Sequence, residues 1–266
     1  MGTNGNNDLA TRMKRYEQSY DFKVPPRTYT IIRLDGHGFS KYTKKMNKPF
    51  DDKFSNAMDF ATAGLCERFS PKFAYTQSDE ISLILTDFEN IEAQQIFDGK
   101  IQKICSLTAG VATAKFNQYL MAKTLLDGKL MLMEQDFMDF NMAEFDSRVY
   151  IIPDFREVYN YLVWRQQDCT RNSISMAAQS VYSHKELEKK SSEVKQEMLF
   201  KKGINWNNYK TKYKRGTVVR KETYEKLTPS GFGKVVRSRW TTVETPVFTQ
   251  EKTFLHDMIP VIGIEK

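Results

Sequence analysis

Two aspartates occupy positions where their side chains could meet. Asp35 follows the β-branched and aromatic segment 27–34, and Asp79 lies in the polar tetrapeptide 77–80 between two apolar segments. These patterns predict a buried strand and a hairpin. If the two strands are neighbours, the carboxylates and the Gly36 carbonyl would offer the oxygen ligands that Mg²⁺ prefers, with water and substrate phosphates completing the shell. Acidic turn residues are also common without a metal, so the strand order decides between the two interpretations.

The segment after Asp35 is rich in glycine and positive charge. Glycine lets the main chain approach phosphate oxygens closely, and lysine supplies positive charge. No Walker A or dinucleotide-binding spacing is present. The pattern therefore predicts a phosphate-binding turn beside the metal, with a plain turn that leaves the strand as the alternative. The residues concerned are Gly36, His37, Gly38, Phe39, Ser40 and Lys41, followed by Lys44, Lys45 and Lys48.

The order of the predicted elements defines the fold class. In chain order, the predicted strands and helices are 27–34, 54–69, 73–76, 81–85, 100–123 and 149–152. Strand, helix, strand, strand, helix, strand is the order of a ferredoxin-like β-α-β-β-α-β unit, in which helices cover an antiparallel sheet. We therefore predict an α+β fold. In this topology the first two strands are parallel with the third between them, so Asp35 and Asp79 should share one edge.

Composition limits the classes of protein that fit. The 266 residues carry a formal net charge of +7, which favours a polyanionic partner. A mean hydropathy of -0.57 and the lack of any apolar run of about 20 residues predict a water-soluble chain with no membrane span. Three separated cysteines and three histidines exclude a disulfide framework and a His-rich metal site, and they fit a reducing compartment. Residues 1–8 lack signal and transit patterns, so we expect a cytoplasmic location, with the mitochondrion as the alternative.

A basic and aromatic cluster follows in the C-terminal half. Residues 198–221 contain no acidic side chain, and their lysines and arginines are interleaved with Trp206, Tyr209 and Tyr213. Cations can follow an RNA backbone and aromatic rings can stack on bases, so the cluster predicts RNA contact. The alternative is a solvated basic loop whose aromatic residues anchor in the core. The candidate RNA contacts are Lys210, Lys212, Lys214 and Arg215.

Six blocks of the sequence, in this order, resemble the tRNA-histidine guanylyltransferase superfamily. They are Arg33-Leu34-Asp35-Gly36-x-x-Phe39, Lys48-Pro49, Gln77-Ser78-Asp79-Glu80, Phe145-Asp146-x-Arg148, Trp164-Arg165-Gln166-x-Asp168-Cys169 and Tyr213-x-Arg215-Gly216-Thr217. The resemblance covers roughly residues 8 to 223. It implies a polymerase-like palm and an enzyme that adds nucleotides to RNA in the 3′-to-5′ direction, with two Mg²⁺ ions and with ATP and GTP as substrates.

The resemblance also implies site residues and partners. Asp35, Asp79 and Glu80 would be catalytic, and Asp35, Asp79 and the Gly36 carbonyl would hold the metals. The nucleotide would contact residues 35–41 together with Lys48, Ser78 and Asp79. Further RNA contacts would come from Arg165, Arg171 and Asn172. The expected partners are tRNA, nucleoside triphosphates and further copies of the chain in a homotetramer.

The chain departs from the family pattern at one place. Members devoted to tRNA(His) carry His-Ile-Asn-Asn-Leu-Tyr-Asn where this chain reads Thr170-Arg171-Asn172-Ser173-Ile174-Ser175-Met176, and only Asn172 agrees. The departure resembles the guanylyltransferase-like branch, whose members repair 5′-truncated tRNAs with the opposite strand as template. The alternatives are a classical enzyme that adds one G to tRNA(His), and a non-catalytic RNA-binding module. A palm-type nucleotide cyclase would leave the basic region unexplained.

The chain is expected to have three parts. Residues 1–26 form an N-terminal helix and lead-in, and 27–153 form the palm catalytic domain. Residues 154–266 form a helical and basic RNA-contact region packed on the palm, which opens with a capping box of Asp154 and Glu157. The tail from residue 229 onward is strand-like in its pattern.

Overall fold

A single sheet organises the molecule. The computed structural model describes residues 5–127, 141–227 and 233–263, and six strands of these ranges form one sheet in the order β4-β1-β3-β2-β5-β6. The strands are β1 (Tyr29–Gly36), β2 (Phe73–Gln77), β3 (Glu80–Leu85), β4 (Phe145–Ile152), β5 (Thr217–Leu227) and β6 (Lys234–Val243). Every neighbouring pair is antiparallel. β1 and β2 are therefore parallel with β3 between them, which confirms the predicted α+β fold.

Helices cover both faces of this sheet. They are α1 (Gly5–Gln18), α2 (Phe39–Tyr42), α3 (Asp52–Phe69), α4 (Ile101–Leu126), α5 (Phe155–Gln179), α6 (His184–Leu187), α7 (Ser192–Lys201), α8 (Thr211–Arg215) and α9 (Lys252–Met258). None of the helices in the described ranges is long and apolar enough to cross a membrane.

β1 shows why the sheet needs two layers of helices. Successive side chains of a strand point to opposite faces. Ile32 and Leu34 accordingly pack in one core with residues of α3 and α4, whereas Tyr29 and Ile31 pack in a second core with residues of α5 and α9. Burial on both faces explains the continuous apolar run that predicted a central strand.

Several predicted boundaries differ from the structure. β1 extends to Gly36, so Asp35 lies within the strand instead of after it. β4 begins at Phe145 because it pairs with β1 along its whole length, although its exposed polar side chains obscure the strand pattern in the sequence. The tail contains β6 and then a helix, α9, so the prediction of a strand-like tail is only partly right.

The predicted capping box is half formed. The Asp154 side chain accepts a hydrogen bond from the Glu157 N–H at 3.1 Å and so caps α5. The Glu157 carboxylate, however, accepts a hydrogen bond from the Asn160 amide at 2.8 Å instead of reaching back to the helix start. One cap bond is sufficient to begin the helix.

Candidate active site

The hairpin between β2 and β3 brings the two predicted aspartates together. Gln77 pairs with Glu80 across a two-residue loop, Ser78 and Asp79, in which Ser78 is left-handed with a φ of 49°. The Gly36 N–H donates to the Asp79 carbonyl at 3.0 Å. Asp35 and Asp79 therefore lie at the same end of the sheet.

Close packing fixes the turn that follows Asp35. A Cβ on Gly36 would lie 2.4 Å from the Phe39 ring, so no larger residue fits there without displacing that ring. Gly38, with a φ of 67°, precedes α2. Phe39 is buried, and its ring centroid lies 5.1 Å from that of Phe145 and 5.6 Å from that of Phe116. Position 36 therefore requires glycine, because the Phe39 ring is packed against other aromatic rings and occupies the space that a side chain would need.

A cleft of about 300 Å³ lies between this turn and the hairpin. Phe39 forms part of its wall, and the predicted nucleotide contacts Ser40, Lys48, Ser78 and Asp79 line it. Its lining also includes residues that sequence reasoning missed, namely Thr43, Met46, Asn47, Asp51, Phe54, Met176 and Gln179. Met176 and Gln179 come from α5, so this helix closes the cleft, which no local pattern in the sequence indicated.

The remaining predicted residues of the turn lie outside that lining. His37, Gly38 and Lys41 are exposed. The His37 N–H donates to the Glu144 carbonyl at 2.8 Å, which ties the turn to the start of β4. These positions border the cleft along the chain, and contact with a phosphate there remains a prediction.

The charges at this end of the sheet suit a divalent cation. Burial raises the pKa of Asp79, and the neighbouring Asp35 carboxylate raises it further. Arg148 lies 3.6 Å from Asp35 and so offsets part of the negative charge. Two carboxylates and the Gly36 carbonyl form a hard oxygen donor set, which fits Mg²⁺. Within residues 5–127, 141–227 and 233–263, no group of three or more His, Cys, Asp or Glu side chains is arranged to hold a metal.

Glu80 occupies a different environment from Asp79. Its Oε2 atom accepts a hydrogen bond from Arg165 at 2.8 Å and forms an ion pair with Arg33 at 2.8 Å, and its side chain is buried. We call these three residues the Glu80 ion cluster. Burial raises the pKa of Glu80, and the two guanidinium groups act in the opposite direction. The carboxylate bonds two internal cations and does not line the cleft, so the catalytic role of Glu80 stays a prediction that these contacts do not support.

The block from Trp164 to Cys169 proves to be largely internal. Arg165 is buried in the Glu80 ion cluster, which contradicts its predicted contact with RNA. The Gln166 amide donates to the Pro246 carbonyl at 2.7 Å and accepts from the Phe248 N–H at 2.9 Å. Arg171 and Asn172 are exposed on α5 and remain open to RNA.

Much of the basic cluster is attached to α3. Lys210 donates to Asp52 at 2.8 Å, Lys212 donates to Asn56 at 2.8 Å, and the Tyr213 hydroxyl also bonds Asp52. Hydrogen bonds from Lys210 and Tyr213 lower the pKa of Asp52 to about 2. One feature of the sequence indicates such a partner, since the acid-free segment 198–221 must find its counter-charges elsewhere in the chain.

The other predicted RNA contacts of the cluster differ in accessibility. Lys214 is buried and donates to the Asn207 carbonyl at 2.6 Å, so it is wrongly predicted as an RNA contact. Arg215 is half-buried, and its carbonyl accepts a hydrogen bond from the Tyr75 hydroxyl at 2.7 Å. Lys210 keeps most of its surface exposed despite its ion pair.

A larger cleft lies at the opposite end of β2 from the hairpin. It measures about 800 Å³, and Lys72, Arg220, Lys221 and Trp240 are among the residues that line it. Its lining includes none of the predicted site residues. The larger volume therefore lies away from the two aspartates, whereas the smaller cleft is the one lined by Asp79 and by the hydroxyl and ammonium groups that suit a triphosphate.

Comparisons with known proteins identify relatives with the same fold. Residues 10–153 match the family profile described as tRNAHis guanylyltransferase. A bacterial tRNA(His) guanylyltransferase-like protein solved in complex with ATP is 36% identical, with a TM-score of 0.81, and the match covers 95% of this chain and 99% of that one. Such a protein in complex with GTP is 35% identical, with a TM-score of 0.76 and coverage of 94% and 98%. The tRNA(His) guanylyltransferase of Debaryomyces hansenii is 29% identical over 79% of each chain.

The palm-like sheet and these matches together define a nucleotidyltransferase. More particularly, the chain belongs to the tRNA-histidine guanylyltransferase family.

We predict that Asp79→Asn raises the melting temperature by a few degrees in EDTA. Burial and the Asp35 charge destabilise the ionised carboxylate, and the substitution removes that charge. Because the pKa of Asp79 is raised in the folded state, the contribution of Asp79 to stability is greatest below the ordinary aspartate pKa and is lost as the pH rises through the raised value. The gain should therefore be small near pH ~3 and grow towards neutrality.

The measurement is thermal unfolding followed by circular dichroism across that pH range. Asp98→Asn is the control. Lys23 lowers the pKa of the exposed Asp98, so this substitution should lower the melting temperature or leave it unchanged. A loss of stability in Asp79→Asn at neutral pH would contradict the prediction.

We also predict that Arg165→Met lowers the free energy of unfolding by about 3 kcal/mol, because Glu80 keeps a buried charge with one cation fewer. Lys210→Met breaks an exposed pair and should cost less than about 1 kcal/mol. Urea unfolding of both variants tests the difference. Equal costs would mean that the Glu80 ion cluster does not hold the hairpin.

Proposed function

We propose that this chain adds nucleotides to the 5′ end of truncated tRNA in the 3′-to-5′ direction and takes their identity from the opposite strand. The observation that carries the proposal is the meeting of Asp35 and Asp79 at one end of the palm sheet, beside a cleft that Ser40 and Lys48 line. A carboxylate pair next to hydroxyl and ammonium groups suits the handling of a triphosphate.

The substrates are ATP or GTP, which activate the 5′ end, and the nucleotide to be added. Structures of guanylyltransferase-like proteins in complex with ATP and with GTP, about one third identical to this chain, support this choice. The cleft volume of about 300 Å³ lies at the lower end of the range for small-molecule sites. Lys48 would neutralise phosphate charge, and the Ser40 and Ser78 hydroxyls would orient phosphate oxygens.

Two Mg²⁺ ions would be held by Asp35, Asp79 and the Gly36 carbonyl. When bound, they activate the attacking 3′-hydroxyl and neutralise the charge of the leaving group. The protein itself contributes the positioning of these ligands. The Gly36 N–H holds the hairpin through the Asp79 carbonyl, which fixes the distance between the two strands that carry the ligands. Such positioning matters because a displacement of about 1 Å can cost about a hundredfold in rate.

RNA would lie along the exposed side of α5 and the neighbouring basic residues. Arg171 and Asn172 are exposed there, and Lys210 adds a cation beyond the cleft. In this arrangement residues 27–153 form the catalytic palm, residues 154–266 contact RNA, and residues 1–26 are a lead-in. A homotetramer in the cytoplasm completes the proposal.

The departure of residues 170–176 from the tRNA(His) pattern supports selection by base pairing. Without the side chains of that pattern, the incoming nucleotide would be chosen by the opposite acceptor strand. The competing candidate adds a single G to tRNA(His), and the 29% identity to a tRNA(His) guanylyltransferase favours it.

We predict that Asp35→Ala and Asp79→Ala each lower nucleotide addition by about a thousandfold or more, because each removes a metal ligand. RNA affinity should change little, since neither carboxylate supplies a positive charge or an aromatic face to the RNA. Single-turnover addition and filter binding measure the two quantities. Asp98→Ala serves as the matched control, and near-normal addition by either site variant would exclude the two-metal mechanism.

We predict further that several tRNAs lacking their first nucleotide are substrates and that the added nucleotide follows the opposing base. Addition should stop when the acceptor stem is fully paired. The measurement is a panel of truncated tRNAs with each of the four opposing bases and labelled nucleotides. Addition of G regardless of that base, or activity confined to tRNA(His), would favour the competing candidate.

A further inference from the structure

Trp164 is an exposed aromatic residue at the side of the palm. It lies on α5 next to the buried Arg165, and 48% of its surface is exposed. A single exposed aromatic side chain is common and by itself means little. What distinguishes Trp164 is the group beneath its ring.

The Arg165 guanidinium lies over the Trp164 ring at 3.4 Å from the ring centroid. That guanidinium is itself fixed, because it donates to Glu80 at 2.8 Å and lies 3.5 Å from Asp168. Arg33, the other cation of the Glu80 ion cluster, lies 5.8 Å from the same ring centroid. The indole therefore rests on a rigid charged support, and ordering it for a ligand costs little entropy.

The indole is also close to the proposed reacting groups. Arg33 and Asp35 lie two residues apart on β1 and so face the same side of the sheet, and Glu80 pairs directly with Asp35. The ring thus lies beside Arg33, which is two residues from Asp35 on β1. A substrate held at Asp35 and Asp79 would have the indole beside it.

Two exposed arginines lie on the same side of the palm as the indole. Arg171 lies seven residues further along α5 and so on the same side of the helix, with 60% of its side chain exposed. Arg148 lies 3.6 Å from Asp35 with 53% of its side chain exposed. An aromatic ring with exposed arginines on the same side of the protein is an arrangement that binds a nucleobase and its phosphates.

We propose that the open side of Trp164 stacks on the 5′-terminal base of the RNA, while Arg171 and Arg148 contact the adjoining phosphates. This inference rests on the proposed function, because it assumes an RNA 5′ end at Asp35 and Asp79. Stacking accepts every base, since each base has an aromatic face. The Trp164 ring, which we call the platform, therefore binds the end of the stem whatever its sequence. After each addition, the new 5′-terminal base can stack on the ring in place of the previous one.

The first test uses the fluorescence of the indole itself. The chain has three tryptophans, so Trp206→Phe with Trp240→Phe leaves Trp164 as the sole tryptophan, which can be excited selectively over tyrosine. A 5′-truncated acceptor-stem RNA should quench this emission. A dumbbell RNA of the same sequence, closed at both ends, offers the same phosphates without a terminal base and should bind without that quench. Equal quenching by both RNAs would overturn the proposal.

The second test compares variants at one position. Trp164→Ala should raise KM for the RNA by about ten- to a hundredfold, the loss expected for one stacked base. Trp164→Phe keeps a ring and should recover most of the affinity. KM for ATP should stay within about twofold of the wild-type value in both, since the ring does not line the nucleotide cleft. Trp164→Leu covers Arg165 with an apolar side chain and should behave like Trp164→Ala if stacking, and not packing, is responsible.

The outcomes also separate this inference from the proposed function. If the wild-type chain adds nucleotides and Trp164→Ala keeps its RNA KM, the platform is wrong and the function stands. If the wild-type chain adds none while the open-ended RNA alone quenches Trp164, the platform stands as an RNA-end binding site and the proposed activity fails.

Discussion

The Glu80 ion cluster is the interaction on which the arrangement of the site depends. Glu80 begins β3, Arg33 lies on β1 and Arg165 lies on α5, so one carboxylate joins three elements. Burying such charges is costly unless each finds its partners, and removing one partner leaves the others uncompensated. The hairpin loop that carries Asp79 is the direct continuation of this anchored residue, and Asp35 is its cross-strand neighbour. Glu80, which does not line the cleft, thus positions both candidate metal ligands, Asp35 and Asp79.

A second constraint acts from the other face of the sheet. Phe39 packs into the core with Phe54, Phe116 and Phe145, and its ring leaves no space for a side chain at Gly36. The chain after β1 must therefore turn tightly beside the hairpin. The cleft is the space left between that turn, the hairpin and the end of α5. Its position follows from core packing, and its polar lining from the residues that the turn exposes.

The basic character of the chain is divided between internal and external roles. Lys210 and Lys212 bind α3 through Asp52 and Asn56, and Lys214 is buried. These residues position the segment before β5, which pairs with β2 at the sheet. Arg171 and Arg148 keep most of their side chains in solvent near the palm. These two arginines therefore leave charge available to a polyanion on the helix and strand that border the site.

The sequence by itself determined the order of strands and helices, the hairpin at Ser78 and Asp79, and the turn after Asp35. Hydrophobic periodicity and turn residues are local properties, so a short stretch of sequence is sufficient to recognise them. The ferredoxin-like order then sufficed to bring Asp35 and Asp79 to one edge. The family motifs added the nucleotidyltransferase assignment, which the comparisons confirmed.

Only the tertiary structure decided which polar residues of those motifs are internal. Glu80 and Asp79 are adjacent acids, yet one is buried because a guanidinium 85 residues away reaches it. Arg165 and Arg171 lie on one helix, yet the first is buried and the second is exposed. A buried ion pair satisfies its charges through partners that are distant in sequence, so no local pattern distinguishes it from a charge in solvent. Folding determines those partners, and with them the functional part of each motif.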